Sequence, residues 1–229
     1  MKLLAVSLAR LTALTDLNEW NPQGKVSIRE FLPAFVERYE FLKFPTIEEY
    51  DLEKGAVFQY GKYKNIDFAA TLFAKGIVVD TRASTEAAES ILTEATEWAE
   101  QFFDIEHSPK RINRRLFLSE LSFHSDVPFE FLNPQLKKLA ARLGNVVSAH
   151  FQEPQTFDVF GLQFKVDPPS RLGSMSLKIE RLEGEPFREN KYFSSAPLPT
   201  MEHLAFLAEF ESILQERSVP SRSRSRQRS

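Results

Sequence analysis

Between Ala56 and Phe103 the hydrophobic period changes from two residues to about 3.6, and this change restricts the fold more than any other feature. Ala56–Tyr63 reads as a first extended segment. Ile66, Phe68, Ala70 and Leu72 alternate through a second, and Lys75-Gly76 marks a hairpin turn into a third, Ile77–Arg82. Ala88, Ile91, Leu92, Ala95, Trp98, Ala99 and Phe102 then fall on one stripe of a helix. Ser84 or Thr85 is placed to cap it, with Glu86 near the positive end of its dipole. Half-buried strands beside an amphipathic helix call for a helix packed on a sheet face. The expected class is α+β, mainly antiparallel sheet with about four packed helices.

The rest of the chain extends the pattern. Residues 3–14 read as a buried strand, with Leu4, Val6 and Leu8 on one face; Arg10 interrupts what would otherwise resemble a secretory signal. Ser27 and Glu30 form a capping box ahead of Ile28, Phe31, Leu32, Phe35, Val36 and Tyr39, which keep helical spacing around Pro33. Leu116–Phe123 reads as a strand. Asn133-Pro134 starts a third helix, with Leu136, Leu139, Ala140 and Leu143 as its expected buried stripe and Gly144 as its stop. Phe157–Val166 and Ser174–Leu182 alternate as strands, a short strand is expected around Tyr192, and Thr200 is placed to cap a last helix with Leu204, Leu207, Ala208 and Leu214 inward.

Elements repeat in order, which suggests two similar β-α-β-β-β-α halves. The expected organisation is an α+β half at 1–103, a basic connection at 104–115, a second α+β half at 116–217, and an Arg/Ser tail at 218–229 too poor in apolar residues to fold. The tail resembles the Arg-Ser dipeptide runs of splicing factors. The likeness covers nine residues and comes without a recognisable RNA-binding domain, so nothing further of that family is carried to this chain.

Candidate contact residues follow from charge. The formal net charge is −3, and removing the tail's Arg222, Arg224, Arg226 and Arg228 leaves −7 for residues 1–220. The tail and the internal cluster Lys110, Arg111, Arg114 and Arg115 are the places where an anion or an acidic partner would be held. Arg82 joins them, because Asp80–Thr85 runs from a strand into a helix start, where backbone N–H groups favour anions.

Catalytic signatures are scarce. The eight glycines are scattered singly, so no phosphate loop is formed. Zero cysteines exclude a thiol nucleophile and a thiolate metal site and fit a reducing compartment. The four histidines, His107, His124, His150 and His203, lack ligand spacing. Asp67 with Asp80, and Asp167 with Glu189 and Lys191, are the carboxylate groupings that metal chemistry would need. The 21 phenylalanines, Phe58, Phe68, Phe117, Phe160 and Phe164 among them, read as core. The resulting expectation is a non-catalytic, cytoplasmic interaction protein without cofactor or metal. It would be an adaptor or assembly subunit whose partners are other protein chains, itself included, and not a membrane. The alternative is a nucleic-acid-binding protein using the tail and the 110–115 cluster.

Overall fold

Among the described residues, alternation and helical periodicity resolve into eight antiparallel strands and four α-helices, an α+β fold. The structure, a computed structural model, describes residues 1–21, 24, 26–105, 112–167 and 175–218. In chain order the elements are β1 (Lys2–Leu14), α1 (Ile28–Tyr39), β2 (Ala56–Tyr63), β3 (Ile66–Phe73), β4 (Gly76–Thr81), α2 (Thr85–Phe103), β5 (Arg114–His124), α3 (Pro134–Phe151), β6 (Gly161–Lys165), β7 (Ser176–Arg181), β8 (Lys191–Ala196) and α4 (Thr200–Ser218). They fall into two compact units. One comprises Val6–Leu121 with Ser195–Glu202; the other comprises Met1–Ala5, Ser122–Ser194 and the chain from His203 onward.

The first unit places its strands in the order β2-β3-β4-β1-β5. β3 and β4 pair so that Ala70 faces Val79 and Leu72 faces Ile77, and β1 pairs with β4 so that Leu11 faces Val79 and Ala13 faces Ile77. These residues form one apolar face, covered by Leu32, Phe35 and Tyr39 of α1 and Ala88, Ile91 and Leu92 of α2. Phe35, Tyr39, Phe41, Phe58 and Phe68 meet at ring separations of 5.0 to 6.0 Å, within the range of favourable aromatic contacts. The buried set of β1 is Ala9, Leu11 and Ala13. Over Leu4–Leu8 the half-buried residues are Val6 and Leu8, with Ala5 and Ser7 exposed; from Ala9 on the buried phase is the other one. Alternation identified the strand, but pairing with β4 set which phase points inward.

Both helices of this unit begin on sequence-legible caps. The Ser27 N–H donates to the Glu30 carboxylate at 3.1 Å, and Ser84 Oγ accepts from the Ala87 N–H at 3.1 Å. Thr85 and Thr200 add a reciprocal pair. The Thr85 N–H donates to Thr200 Oγ1 at 2.9 Å, and the Thr200 N–H donates to Thr85 Oγ1 at 2.7 Å. Each threonine at the start of one helix thus satisfies an N–H at the start of the other.

The second unit places β8, β7 and β6 side by side. Its core gathers Phe123, Phe129, Ile179, Tyr192, Leu207, Phe210 and Leu214. Phe129 stacks on Tyr192 at 4.2 Å. Arg181, only 3% exposed, lies over the Phe187 ring at 4.4 Å and donates to the Phe187 carbonyl at 2.6 Å and the Val159 carbonyl at 3.2 Å. A buried guanidinium is tolerable when its donors are used in this way.

Several expectations are corrected here. α3 does not stop at Gly144 but runs on to Phe151, ending at Gln152 in the left-handed conformation with φ 58°. Gly144 is instead a point of close approach: a Cβ there would lie 2.8 Å from the Gln155 carbonyl oxygen. The stripe of Leu136, Leu139 and Leu143 is exposed rather than buried, and Gly144 is the buried residue of the helix. The strand expected over Phe157–Val166 is confined to β6, and Phe160 and Phe164 are exposed. Phe102 is exposed, with Phe103 half-buried in its place. Ala208 of α4 faces outward, whereas His203, Phe210 and Glu211 are buried.

Candidate functional site

Arg82 follows the end of β4 and borders a groove of about 810 Å³ that also carries Tyr60, Lys62, Asp67 and Asp80. Its charges are largely balanced. Asp80 accepts two hydrogen bonds from Arg10, from Nε and from a terminal nitrogen, each 2.7 Å, because β1 and β4 pair in a register that sets the two residues opposite. Asp67 sits opposite Lys62 across β2 and β3. Asp80 lies opposite Ala69 and not Asp67, so the expected carboxylate pair is not assembled at one register position. The Ala87 N–H is already taken by Ser84 Oγ, and the Ala83 N–H donates to Thr81 Oγ1 at 3.2 Å. The run from Asp80 to Thr85 ends a strand and caps a helix, and Arg82 itself is exposed beside the groove.

Of the internal basic cluster, Arg114 and Arg115 open β5 instead of lying in a connection, and Arg115 Nε pairs with Glu89 at 3.2 Å. Lys110, Arg111, Arg222, Arg224, Arg226 and Arg228 lie outside the described residues. Glu189 sits in a single helical turn, Phe187–Glu189, and Lys191 donates to Glu185 at 3.0 Å. A lysine committed elsewhere and a glutamate off the strands do not form the site a metal nuclease needs. Among the described residues no cluster of three or more His, Asp or Glu is placed to hold a metal ion.

Ser194 and His203 come within 2.8 Å, a separation that a catalytic pair would also show. The pair is sealed from solvent. Ser194 Oγ lies 2.9 Å from the Lys178 carbonyl as well as 2.8 Å from His203 Nε2, and its single proton serves one of them at a time. Both residues are fully buried, and burial pushes the imidazole down to about 4. The pair ties α4 to its neighbouring strands.

Two apolar features remain, and sequence patterning did not single out either as a site. The first is the outer face of α3. Leu136, Leu139, Leu143 and Val146 recur at i, i+3, i+7 and i+10 and are 41%, 62%, 46% and 61% exposed. The flanking small-residue side, Ala140, Gly144 and Ser148, is the more buried one and meets the returning chain: the Gln155 N–H donates to Ser148 Oγ at 2.7 Å. Lys137, Lys138 and Arg142 lie on this helix, which contains no Asp or Glu. The heptad-like leucine spacing was legible, but spacing names the apolar side of a helix without naming what covers it.

The second is a pocket of about 320 Å³ in the first unit, between α1, α2 and the strand face. Phe31 and Phe35 of α1 and Trp98 and Phe103 of α2 are among its walls, with Trp20 and Tyr50 from the connecting segments. No charged residue lines it among the described residues. No known protein family and no curated protein matches this chain.

Proposed function

We propose that this chain is a non-catalytic interaction protein, an adaptor or subunit of a protein assembly, and that it docks an acidic apolar segment of another protein chain on α3. The observation that carries this reading is the exposed row Leu136, Leu139, Leu143 and Val146 on one helix face. Isolated exposed leucines are ordinary, but a continuous apolar row on an 18-residue helix is what helix-in-groove and helix-on-helix partners use. Charge selects the partner's chemistry. With three Lys or Arg and no carboxylate, α3 repels a second copy of itself and favours a segment carrying Asp or Glu beside its apolar residues.

The test is a pull-down with the full chain, the chain ending at 220, and a Leu139→Glu, Leu143→Glu double variant, with proteins, nucleic acid and lipid identified in each eluate. The expected result is a protein partner held by the first two and lost from the third, whose contact segment, mapped by cross-linking from α3, is acidic and apolar. Three results overturn the proposal: partners unchanged in the double variant, nucleic acid recovered only with the full chain, or α3 cross-linked to anionic lipid alone. No described helix is long and apolar enough to cross a membrane.

A further inference from the structure

The 320 Å³ pocket of the first unit is a separate feature, independent of α3. Protein interiors are packed to the density of organic crystals and seldom leave spaces much larger than a water molecule. This space is roughly twice the ~150 Å³ apolar cavity that stays dry and takes up benzene, and it lies at the lower end of ligand-pocket volumes. Its walls are aromatic and aliphatic, and no described lining residue is charged, so among the described residues no group compensates an ionised ligand. The polar groups around it are mostly engaged. Trp20 Nε1 donates to Thr15 Oγ1 at 3.0 Å, the Asn21 side chain bonds both backbone groups of Val26, and Thr96 Oγ1 donates to the Thr93 carbonyl at 2.9 Å. Tyr50 differs: it lines the pocket, and no hydrogen bond of its hydroxyl occurs among the described residues. Burial pushes that phenol up to about 12, so it stays protonated and remains a donor.

We infer that this pocket binds a neutral, largely apolar molecule about the size of two fused aromatic rings, with one hydrogen-bond acceptor that Tyr50 satisfies. The aromatic walls offer offset-stacked and edge contacts to such a ring system, and the single donor sets its orientation.

Both tryptophans of the chain, Trp20 and Trp98, line the pocket, so binding is read as energy transfer from tryptophan to the neutral dye N-phenyl-1-naphthylamine, with the full chain. 2-Acetylnaphthalene is expected to displace the dye, and 2-naphthoate to do so at least about tenfold more weakly because its charge has no partner. Tyr50→Phe is expected to weaken 2-acetylnaphthalene several-fold and leave 2-ethylnaphthalene unchanged. Ala95→Leu, which fills part of the space, is expected to cut dye affinity by about tenfold or more. The Leu139→Glu, Leu143→Glu variant should bind the dye as the unaltered chain does. Two results overturn the inference: no dye binding up to about 100 μM, or binding that survives Ala95→Leu and Tyr50→Phe but disappears with the α3 variant. If Ala95→Leu does not fold, the contrast between the two naphthalenes on Tyr50→Phe decides. The α3 proposal stands or falls separately, since it concerns a protein partner and a different surface.

Discussion

His203 shows how little a residue's type says about its role. A lone histidine near a helix start reads as a surface or capping residue, yet it is fully buried with Nε2 on Ser194. Burial holds its pKa near 4, below the value of about 6.5 in an unfolded chain. Protons therefore bind the unfolded chain preferentially between those values. The stability this group contributes is complete above pH 6.5 and is lost as pH falls toward 4, about 3 kcal/mol across the window. Urea unfolding midpoints measured from pH 4 to 7.5 should show this decline, and His203→Gln, whose amide nitrogen still reaches Ser194, should flatten it relative to the unaltered chain. An equal decline in both would show that His203 is not the group responsible. Glu94 is likewise readable only from the fold. It accepts from the Tyr39 hydroxyl at 2.6 Å and pairs with Arg38, contacts between α1 and α2 that span 55 and 56 residues of sequence. Burial first and the Glu94 carboxylate second raise the Tyr39 phenol, so it remains a neutral donor.

Elements were legible where local rules suffice. The caps at Ser27 and Ser84, the proline after Asn133 and the turn before Gly76 act within a few residues, so their sequence signals survive folding. The paired caps of α2 and α4 act between distant segments and have no such signal. Thr85→Val and Thr200→Val are each expected to cost about 1–2 kcal/mol, with the double variant costing less than the sum because each hydroxyl serves the other's helix. A double-mutant cycle by chemical unfolding measures this; additive losses would contradict it. Gly144 offers the opposite lesson. In an exposed helix Gly→Ala normally gains about 1 kcal/mol, but here the new Cβ meets the Gln155 carbonyl oxygen at 2.8 Å. Gly144→Ala should lower the melting temperature and detach the returning segment, seen as faster amide exchange around 155–157.

For the whole molecule, the two compact units are discontinuous in sequence. The first takes Ser195–Glu202 from far down the chain, and the second takes Met1–Ala5 from its start. Residues 1–103 expressed alone lack both β5 and Ser195–Glu202, so this fragment is expected to unfold without a cooperative transition; a sharp calorimetric peak would refute that. Charge also acts at this scale. With the rest of the chain at −7, phosphate binding through the four tail arginines alone should fall with salt on a log–log slope no steeper than about −4, and should vanish when 221–229 are removed. The sequence by itself determined the α+β class and the position of most strands and helices. Periods of two and 3.6 are properties of the local backbone, so they can be read without a fold. Only the tertiary structure decided that Ala9, Leu11 and Ala13 are the inward phase of β1, that His203 is buried, and that the leucines of α3 are uncovered. A pattern marks which side of an element is apolar, but burial needs a second surface to meet it. That surface comes from residues far away in sequence, which no local pattern specifies.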